Sequence, residues 1–523
     1  MAAAPENRAA DRAALEVRHK GLLTLVVMAG VLMQVLDSTI ANVALPHMQA
    51  ALGATPESIT WTLTSYIVAS AMITPIAGWL SDRFGVRGLF LLSVTWFVIA
   101  SALCGVAANL SQMVAFRVLQ GIGGAPLSPL GQSVILNINR PSEHPRAMAV
   151  YGTGTMVGPV LGPIIGGWLT DNYDWRWVFF INVPLGIACF AGLWWLMPRV
   201  RRVDRPFDVF GWALIATALA SFQLLLDRGG HVDWFDATEC WIEAGVAAGA
   251  LWMFVVHTAT ARRPLFPAAM LGDANLIIGC LFMTSLALVQ LSGLALLPSM
   301  LQGLFGYSVL TTGTILATRG VGLTVAMWLA SRLLPLLGPR VVMGGGLVLL
   351  TYSMWMMTQW SLDMDARPVV VSGLVQGVAM GLVFLPMNVV TFATLPSRFR
   401  TDGAAMMNLS RNTGGSIGIA LASTMLAHNL QVSHADLAEH LTPYNLPVDP
   451  TLLGTYGELG EGVLRMVDGL VQRQATMIAL LDDFHMFFLV SIFALPLAFF
   501  VRPQRRHGPG GRNADEPLHV GME

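Results

Sequence analysis

The chain has 523 residues, of which 54% are hydrophobic and only 12% are charged. A soluble globular protein carries about 25% charged residues, so this composition predicts a polytopic membrane protein. The formal net charge is −1 and no basic block stands outside the short loops and the tail, which argues against a nucleic-acid partner. The four cysteines stand singly in apolar stretches, a spacing that indicates neither a disulfide framework nor a metal site.

Apolar runs of about 20 residues can each cross a hydrocarbon layer of roughly 30 Å. The sequence predicts fourteen such transmembrane helices, and the first is retained because no small-residue cleavage site follows it. In chain order they lie near residues 21–46, 58–80, 88–107, 111–137, 146–170, 176–197, 209–227, 237–258, 273–297, 308–332, 339–360, 367–394, 402–427 and 481–501.

Arginine and lysine concentrate in alternate loops, as expected for cytoplasmic segments. This pattern predicts that both termini are cytoplasmic. The basic residues of the inner segments are Arg18, Lys20, Arg83, Arg87, Arg140, Arg146, Arg199, Arg201, Arg202, Arg205, Arg262, Arg263, Arg332, Arg340, Arg398, Arg400, Arg502, Arg505 and Arg506.

Six spans precede the basic stretch that begins at Arg199, and six more follow Asp273. We therefore predict an all-α protein with an N-terminal six-helix bundle (21–198), a basic linker with two extra helices (199–272) and a C-terminal six-helix bundle (273–501). Such repeated halves are typical of carriers that rock between two open states. Segments 1–20 and 502–523 flank the bundles, and residues 428–480 form either an ordered extracytoplasmic cap or a partner-docking surface.

The first span contains a carboxylate, Asp37, within an apolar stretch from Leu22 to Leu45. An ionisable group inside a membrane costs a few kcal/mol or more and marks a functional site by default. At 1.5 Å per residue, Asp37 lies about 13 Å inward from Pro46, and Arg117 lies about 9 Å inward from the outer start of the fourth span. The two side chains can therefore meet, either as a proton-sensitive switch or as a static ion pair.

The loop after the second span carries Gly78, Asp82, Arg83, Gly85 and Arg87. The glycines permit a tight turn, and a carboxylate flanked by arginines can form a latch at the inner surface. A solvated loop that merely follows the distribution of positive charge is the alternative.

The fifth span contains glycines four residues apart, which line one helical face and allow close helix packing. Two prolines within it remove backbone hydrogen bonds, so this span is either a hinge or a purely structural packing face. Its small residues are Gly154, Gly158, Pro159, Gly162, Pro163, Gly166 and Gly167.

In the second half, Arg319 and Arg411 lie within predicted spans, whereas the nearest acidic residues lie at span ends. These arginines either bind helix-end carbonyls or attract anionic substrates. The wider set of candidates for a substrate cavity is Gln34, Trp61, Thr64, Tyr66, Gln120, Gln290, Arg319, Asn388 and Arg411.

Direct use of ATP is not expected, because a phosphate-binding loop needs a lysine followed by Ser or Thr. The chain has a single lysine, Lys20, and Gly21 follows it. The Gly-Ser-Ile-Gly stretch that ends at Gly418 formally resembles a nucleophile elbow, but we interpret it as a helix-packing face and predict that the protein is not an enzyme. The energy source that remains is the proton gradient, without a cofactor.

Four of these motifs, residues 36–46, 78–87, 117–125 and 158–167, resemble those of the major facilitator superfamily. Within it, the chain resembles the fourteen-helix drug:proton antiporters of the EmrB/QacA type, and residues 172–184, 226–229, 233–235, 319–322 and 408–418 extend this resemblance to nearly the whole length. One departure is Val86 in the loop, where the family often has a basic residue.

The resemblance implies a proton-coupling or substrate-sensing role for Asp37, with Arg117 as its coupled cation. It implies an inner-gate latch of Asp82, Arg83 and Arg87, and a flexible antiporter helix at the glycine-rich fifth span. Pumps of the EmrB type reside in the bacterial inner membrane and work with a periplasmic adaptor and an outer-membrane channel, so the same location and partners are implied here.

The leading hypothesis is a proton-driven multidrug exporter of hydrophobic, including weakly acidic, toxic compounds. A second hypothesis is a dedicated exporter of a metabolite such as an antibiotic or a siderophore. A third is a membrane sensor or scaffold that binds partners through residues 428–480.

Overall fold

The computed structural model describes residues 13–199, 204–230, 232, 234–441 and 460–496, and the regular elements in these ranges are all helices. The first half comprises, in chain order, α1 (Lys20–Leu52), α2 (Pro56–Ile59), α3 (Trp61–Ile73), α4 (Ala77–Phe84), α5 (Val86–Gly105), α6 (Leu110–Gly124), α7 (Leu127–Ile138), α8 (His144–Asn172), α9 (Trp177–Phe180) and α10 (Asn182–Leu196).

Two long helices, α11 (Val209–Gly229) and α12 (Thr238–Thr260), form the linker between the halves. The second half comprises α13 (Ala268–Leu271), α14 (Ala274–Gly303), α15 (Val309–Leu337), α16 (Pro339–Met357), α17 (Arg367–Ala393), α18 (Arg400–Glu439) and α19 (Gly460–Ala494).

Side chains at the helix starts satisfy backbone N–H groups that have no partner within the helix. Asn109 accepts from the N–H of Gln112, Asp273 from that of Leu276, and Ser308 from that of Thr311. Gly53 ends α1 with a φ of 62°, a left-handed conformation that glycine adopts without steric penalty.

Twelve helices in the described ranges are long and apolar enough to cross a membrane. The predicted fourth and thirteenth spans are not among them. The fourth is divided into α6 and α7 near Pro126, and the thirteenth, α18, carries several polar residues. Because α6 packs against α3 and α5, and α18 packs against α14 and α19, both lie within the bundle. The fold is an all-α membrane protein, and the count of fourteen spans stays a prediction.

The halves meet along α8 of the first half and α15 and α17 of the second. A Cβ atom at Gly152 on α8 would approach Phe384 on α17 to 3.0 Å, and one at Gly313 on α15 would approach Ile164 to 3.1 Å. Glycine at these positions therefore allows the two halves to pack closely.

One end of the bundle collects the basic residues, and we call it the basic end. There Lys20 at the start of α1 pairs with Glu143, and Arg400 at the start of α18 donates to Asn137 of α7 at 2.8 Å. Ser133 of α7 lies 2.9 Å from Thr401 of α18. The last two contacts join the first half to the second at the basic end, whereas the pair of Lys20 and Glu143 lies within the first half.

The last two long helices extend past the other spans at the opposite end. Helix α18 has 40 residues and α19 has 35, lengths of about 60 and 52 Å at 1.5 Å per residue. They pack against each other, and His434 contacts Asp468 at 2.9 Å. Much of the segment predicted as an extracytoplasmic cap, residues 428–480, therefore consists of continuations of these two helices, while residues 442–459 lie outside the described ranges.

Candidate functional site

The buried ion pair between Asp37 and Arg117 is the centre of the first half. Arg117 Nη1 lies 2.6 Å from Asp37 Oδ2, and both side chains are almost fully withdrawn from solvent, at 1% and 0% exposure. A buried pair is stable only if the remaining lone pairs and N–H groups also find partners. The surrounding residues meet this condition.

Three donors from two helices converge on the Asp37 carboxylate. Besides Arg117, Gln120 Nε2 donates to Oδ1 at 2.7 Å and Asn182 Nδ2 donates to the same oxygen at 3.0 Å. Asn182 also donates to Ser101 Oγ at 3.0 Å, and Ser101 donates to the carbonyl of Phe179 at 2.8 Å. The network thus joins α1, α5, α6 and α10.

The Arg117 guanidinium is held on its other sides as well. Its Nε donates to the carbonyl of Thr62 at 2.9 Å, and Nη1 donates to Gln120 Oε1 at 2.8 Å. The Tyr66 ring lies 4.4 Å from the guanidinium carbon and the Phe179 ring lies 5.7 Å from it. Aromatic faces attract a cation at this range, most strongly where water is excluded.

The small residues after Gln120 bring α3 to the ion pair. A Cβ atom at Gly121 would approach the carbonyl oxygen of Tyr66 to 2.6 Å, and one at Gly124 would approach Tyr66 Oη to 3.0 Å. Any larger residue at Gly121 would push α3 away from α6, and with it the Thr62 carbonyl and the Tyr66 ring. The glycines of the Arg117 motif therefore determine the surroundings of the guanidinium.

This arrangement can respond to a proton in a definite way. Each of the three polar groups around Asp37 donates a hydrogen bond to it, so a proton on the carboxylate would face donors alone and find no acceptor. Protonation would also leave the buried Arg117 charge uncompensated, which costs several kcal/mol. Proton binding at Asp37 therefore requires the helices that carry these donors to rearrange.

The observed contacts of Asp82 differ from those of the predicted loop latch. Asp82 is not paired with Arg83 or Arg87 but lies 3.5 Å from Arg205 of the linker, which also lies 3.1 Å from Asp402 at the start of α18. Arg205 additionally donates to the carbonyl of Leu265. A single linker arginine thus connects carboxylates from both halves at the basic end.

The other loop residues occupy the surroundings of this bridge. Arg83 pairs with Asp204 at 2.8 Å, and Arg87 donates to the carbonyl of Trp194 at 2.5 Å. Gly85 has a φ of 74°, which allows the sharp turn between α4 and α5. A Cβ atom at Gly78 would collide with the Asp402 carboxylate, so only glycine leaves room for that group there.

The glycines of the predicted antiporter motif form the contact between α8 and α1. A Cβ atom at Gly154 would collide with Met28, one at Gly158 would approach Val35 to 2.6 Å, one at Gly162 would collide with Thr39, and one at Gly166 would lie 3.4 Å from the carbonyl of Ile40. Helix α8 continues as one helix through Pro159 and Pro163 to Asn172, and Gly167 stands beside Gly166 in its last turns. Helix α8 therefore packs directly on the helix that carries Asp37.

The cavity candidates of the first half are distributed over several environments. Tyr66 and Gln120 belong to the ion-pair network, and Gln34 lies beside Tyr66. Thr64 donates to Asp227 of linker helix α11, and Trp61 is 39% exposed. The structure thus brings three of these five candidates to the ion pair.

The cavity candidates of the second half also lie in different environments. Asn388 accepts from Gln132 of α7 at 2.7 Å and is part of the contact between the halves, whereas Gln290 is half-buried on α14. Arg411 lies close enough to Tyr151 of the first half to interact electrostatically. Arg319 Nη2 is buried and has no hydrogen-bond partner within the described ranges.

The Arg319 side chain lies between α14 and α17. A Cβ atom at Gly293 would lie 3.8 Å from its guanidinium, and one at Gly373 would lie 3.4 Å from its Cγ. No acidic side chain in the described part of the chain forms an ion pair with Arg319 or Arg411, in agreement with the sequence.

Sequence reasoning missed Asn182, Ser101 and Arg205 as members of these two sites. Asn182 carried a usable signal, since it is a lone amide within the apolar sixth span. Arg205 was counted only as a loop charge, and nothing in its neighbours along the chain indicates its two partners.

The Gly-Ser-Ile-Gly segment that ends at Gly418 packs closely against α14. Cβ atoms at Gly414 and Gly418 would collide with the backbone of Thr284 and Leu288 on α14. The segment is a helix-packing face, and this prediction is confirmed.

Residues 27–419 match the family model of the Major Facilitator Superfamily. The chain is 33% identical over 509 residues to the multidrug export protein EmrB of Escherichia coli, covering 96% of this chain and 99% of that protein. It is 32% identical over 495 residues to the fatty acid resistance protein FarB of Neisseria gonorrhoeae, covering 94% and 97%. The crystal structure of the human organic anion transporter MFSD10 is similar, with a TM-score of 0.59 at 14% identity, covering 91% of this chain and all of that one.

The ion pair predicts strong energetic coupling between its partners. Asp37→Asn and Arg117→Gln should each lower the free energy of unfolding by about 3–5 kcal/mol, because each leaves one buried charge without its partner. The double variant removes both charges and should lose less than the sum of the two single losses. Denaturant unfolding of the purified protein in detergent measures all three.

The matched control is Asp204→Asn, which breaks the solvent-exposed pair with Arg83. It should change the free energy of unfolding by under about 0.5 kcal/mol. Strictly additive losses in the double variant would contradict the coupling.

The bridge at the basic end predicts a specific effect of Arg205→Gln. Without the arginine, Asp82 and Asp402 repel each other, and the contacts between α7 and α18 should open more often. In a Ser133→Cys background, the rate of maleimide labelling should rise about tenfold, which corresponds to 1.4 kcal/mol. All four native cysteines are buried, so their background labelling is low.

Arg262→Gln is the control, because Arg262 is an exposed arginine of the same linker. Equal labelling rates in the two variants would show that Arg205 does not hold the basic end closed.

Proposed function

The chain belongs to the Major Facilitator Superfamily, and we propose that it is a proton-coupled multidrug efflux transporter. It exports hydrophobic toxic compounds by alternating access between its two halves. The observation that carries this proposal is the Asp37 carboxylate, which is buried in the membrane part of the chain and surrounded by hydrogen-bond donors alone.

The proton acts on Asp37 through the hydrogen bonds that protonation would break. The neutral acid no longer attracts Arg117, so Arg117 and Gln120 on α6 and Asn182 on α10 lose the group that holds them to α1. Because the glycine face of α8 packs on the same helix, a shift of α1 also reaches the contact between the halves. Protonation and the relative position of the halves are linked in this way.

A proton gradient is sufficient to drive such an export. Each charge that moves down a potential of 100 mV releases about 2.3 kcal/mol. At 1.4 kcal/mol per factor of ten, one proton can sustain a concentration ratio of about fortyfold.

The bonds at the basic end define one state of the transport cycle. Arg205, Asp82 and Asp402 connect the halves there, while α8 and α15 contact along their lengths. If the basic end is cytoplasmic, as the distribution of arginine indicates, this state is closed to the cytoplasm. Export then requires that the Arg205 bridge breaks in each cycle to admit cargo.

The location and partners of the transporter follow from the same proposal. Both termini are cytoplasmic and the membrane is the bacterial inner membrane. In a cell with an outer membrane, a periplasmic adaptor and an outer-membrane channel would complete the export path. The long helices α18 and α19 extend towards that side.

Weakly acidic compounds are a favoured part of the cargo. The buried Arg319 guanidinium lacks an acidic partner within the described ranges and lies between two helices that carry glycine beside it. A negative group on the cargo would supply the missing partner with a charge-assisted hydrogen bond. The relative FarB is named a fatty acid resistance protein, and fatty acids are weak acids.

Loss of the Asp37 carboxylate should abolish transport. In proteoliposomes with an imposed pH gradient, the wild type should export a hydrophobic dye, and Asp37→Asn should lower this efflux to the level of protein-free liposomes, because it removes the titrating group. Asp204→Asn should pump like the wild type. Equal pumping by Asp37→Asn would place proton coupling at another residue.

A second prediction concerns the charge of the cargo. Arg319→Gln should lower the export rate of an anionic compound about tenfold relative to that of its neutral analogue, a change of 1.4 kcal/mol. Arg332→Gln, at an exposed position of the same helix, should leave this ratio unchanged. A ratio unaffected by Arg319→Gln would mean that Arg319 does not select for acidic cargo.

A further inference from the structure

A second buried carboxylate, Asp483, lies on α19 in the C-terminal half. Its side chain is 0% exposed, and neither carboxylate oxygen has a hydrogen-bond partner within the described ranges. The sequence places Asp483 at the start of the last span. In the structure α19 begins at Gly460, so Asp483 lies well inside the helix.

The surroundings of Asp483 are apolar. Leu480, Phe484 and Phe487 on the same helix are each at most 3% exposed, and the Trp360 ring packs edge-on against Phe484 at 5.2 Å. Helix α19 is covered by α18, α16 and α14. Asp483 is therefore enclosed in a hydrophobic contact between four helices.

Among the described residues, no cation forms an ion pair with this carboxylate. The adjacent Asp482 accepts a hydrogen bond from Asn429 of α18 at 3.2 Å and adds negative charge. Helix α14 has no charged residue. The remaining titratable groups on α16, α18 and the segment between α16 and α17 form no ion pair with Asp483; they are Arg340, Tyr352, Asp363, Asp365, Arg400, Asp402, Arg411, His428, His434, Asp436 and Glu439.

An ionised carboxylate in such a place would be very unfavourable, whereas a neutral acid costs far less to bury. The surroundings of Asp37 and Asp483 are therefore opposite. Asp37 accepts from a guanidinium and two amide donors, whereas Asp483 accepts from no donor within the described ranges.

We propose that Asp483 is a second proton-binding site of this transporter, and that it holds a proton on its carboxyl group in the conformation seen here. The proton exchanges with water when α19 separates from α18 and α16. The proposal deepens the proton-coupled export argued above, but occupancy of this site does not depend on it.

The site is nearer to the end of the bundle opposite the basic end. Trp360 follows the end of α16 at Met357, and Asn429 lies on the part of α18 remote from its start at Arg400. A proton would therefore reach Asp483 from the opposite end, which is the side from which a proton-driven exporter takes up its protons.

Infrared difference spectroscopy of the purified full-length protein tests this inference. The spectrum of the wild type minus that of Asp483→Asn, both at neutral pH without substrate, should contain the C=O stretching band of one protonated carboxylic acid. The band should shift in heavy water. Asp482→Asn is the matched control, and its difference spectrum should lack that band.

Asp483→Glu keeps an acid at the position and should retain the band at a shifted frequency. The difference spectrum of the wild type and this variant can therefore be used if Asp483→Asn does not fold. A wild-type spectrum without the band, or carboxylate bands that Asp483→Asn removes instead, would overturn the proposal. Asp37→Asn should keep the band. A pump that shows it but fails to move protons would thus refute the proposed function and leave Asp483 as a proton site.

Discussion

The absence of water around a membrane-buried charge is the constraint on which this structure depends. Asp37 and Arg117 are both almost fully buried, and their partners come from several helices of the first half. A charge in hydrocarbon must be paired and hydrogen-bonded or become neutral. The bonds to this pair therefore help to fix the positions of four helices, α1, α3, α6 and α10, in addition to the packing of their apolar side chains.

The chain contains ionisable groups in three different conditions, and each condition suits a different role. Asp37 is fully compensated and can change only if the helices around it move. Arg205 is shared between two carboxylates at a contact between the halves, so its bonds break when that contact opens. Arg319 and Asp483 have no ion-pair partner in the described part of the chain, which favours a ligand at the first and a proton at the second.

The linker between the halves takes part in this organisation. Besides Arg205, Trp212 of α11 donates to the carbonyl of Met72 at 3.0 Å, and Trp234, between α11 and α12, donates to Thr424 of the second half at 2.9 Å. The linker thus forms hydrogen bonds with both halves at several positions along the bundle. A rocking motion of the halves either breaks these bonds or moves the linker with one half. The linker therefore contributes to the energy difference between the inward-open and outward-open states.

The sequence by itself determined the class of protein, the order of the helices and the importance of Asp37 and Arg117, because hydropathy and a charge in an apolar run are local properties. It could not show that Asn182 and Gln120 complete the ion pair, or that Asp82 bonds to Arg205 rather than to Arg83. It also placed Asp483 at a span end, since polar residues upstream concealed that α19 starts at Gly460. Only the tertiary structure decided these contacts, because hydrogen bonds between distant helices depend on helix rotation and packing, which no local pattern encodes.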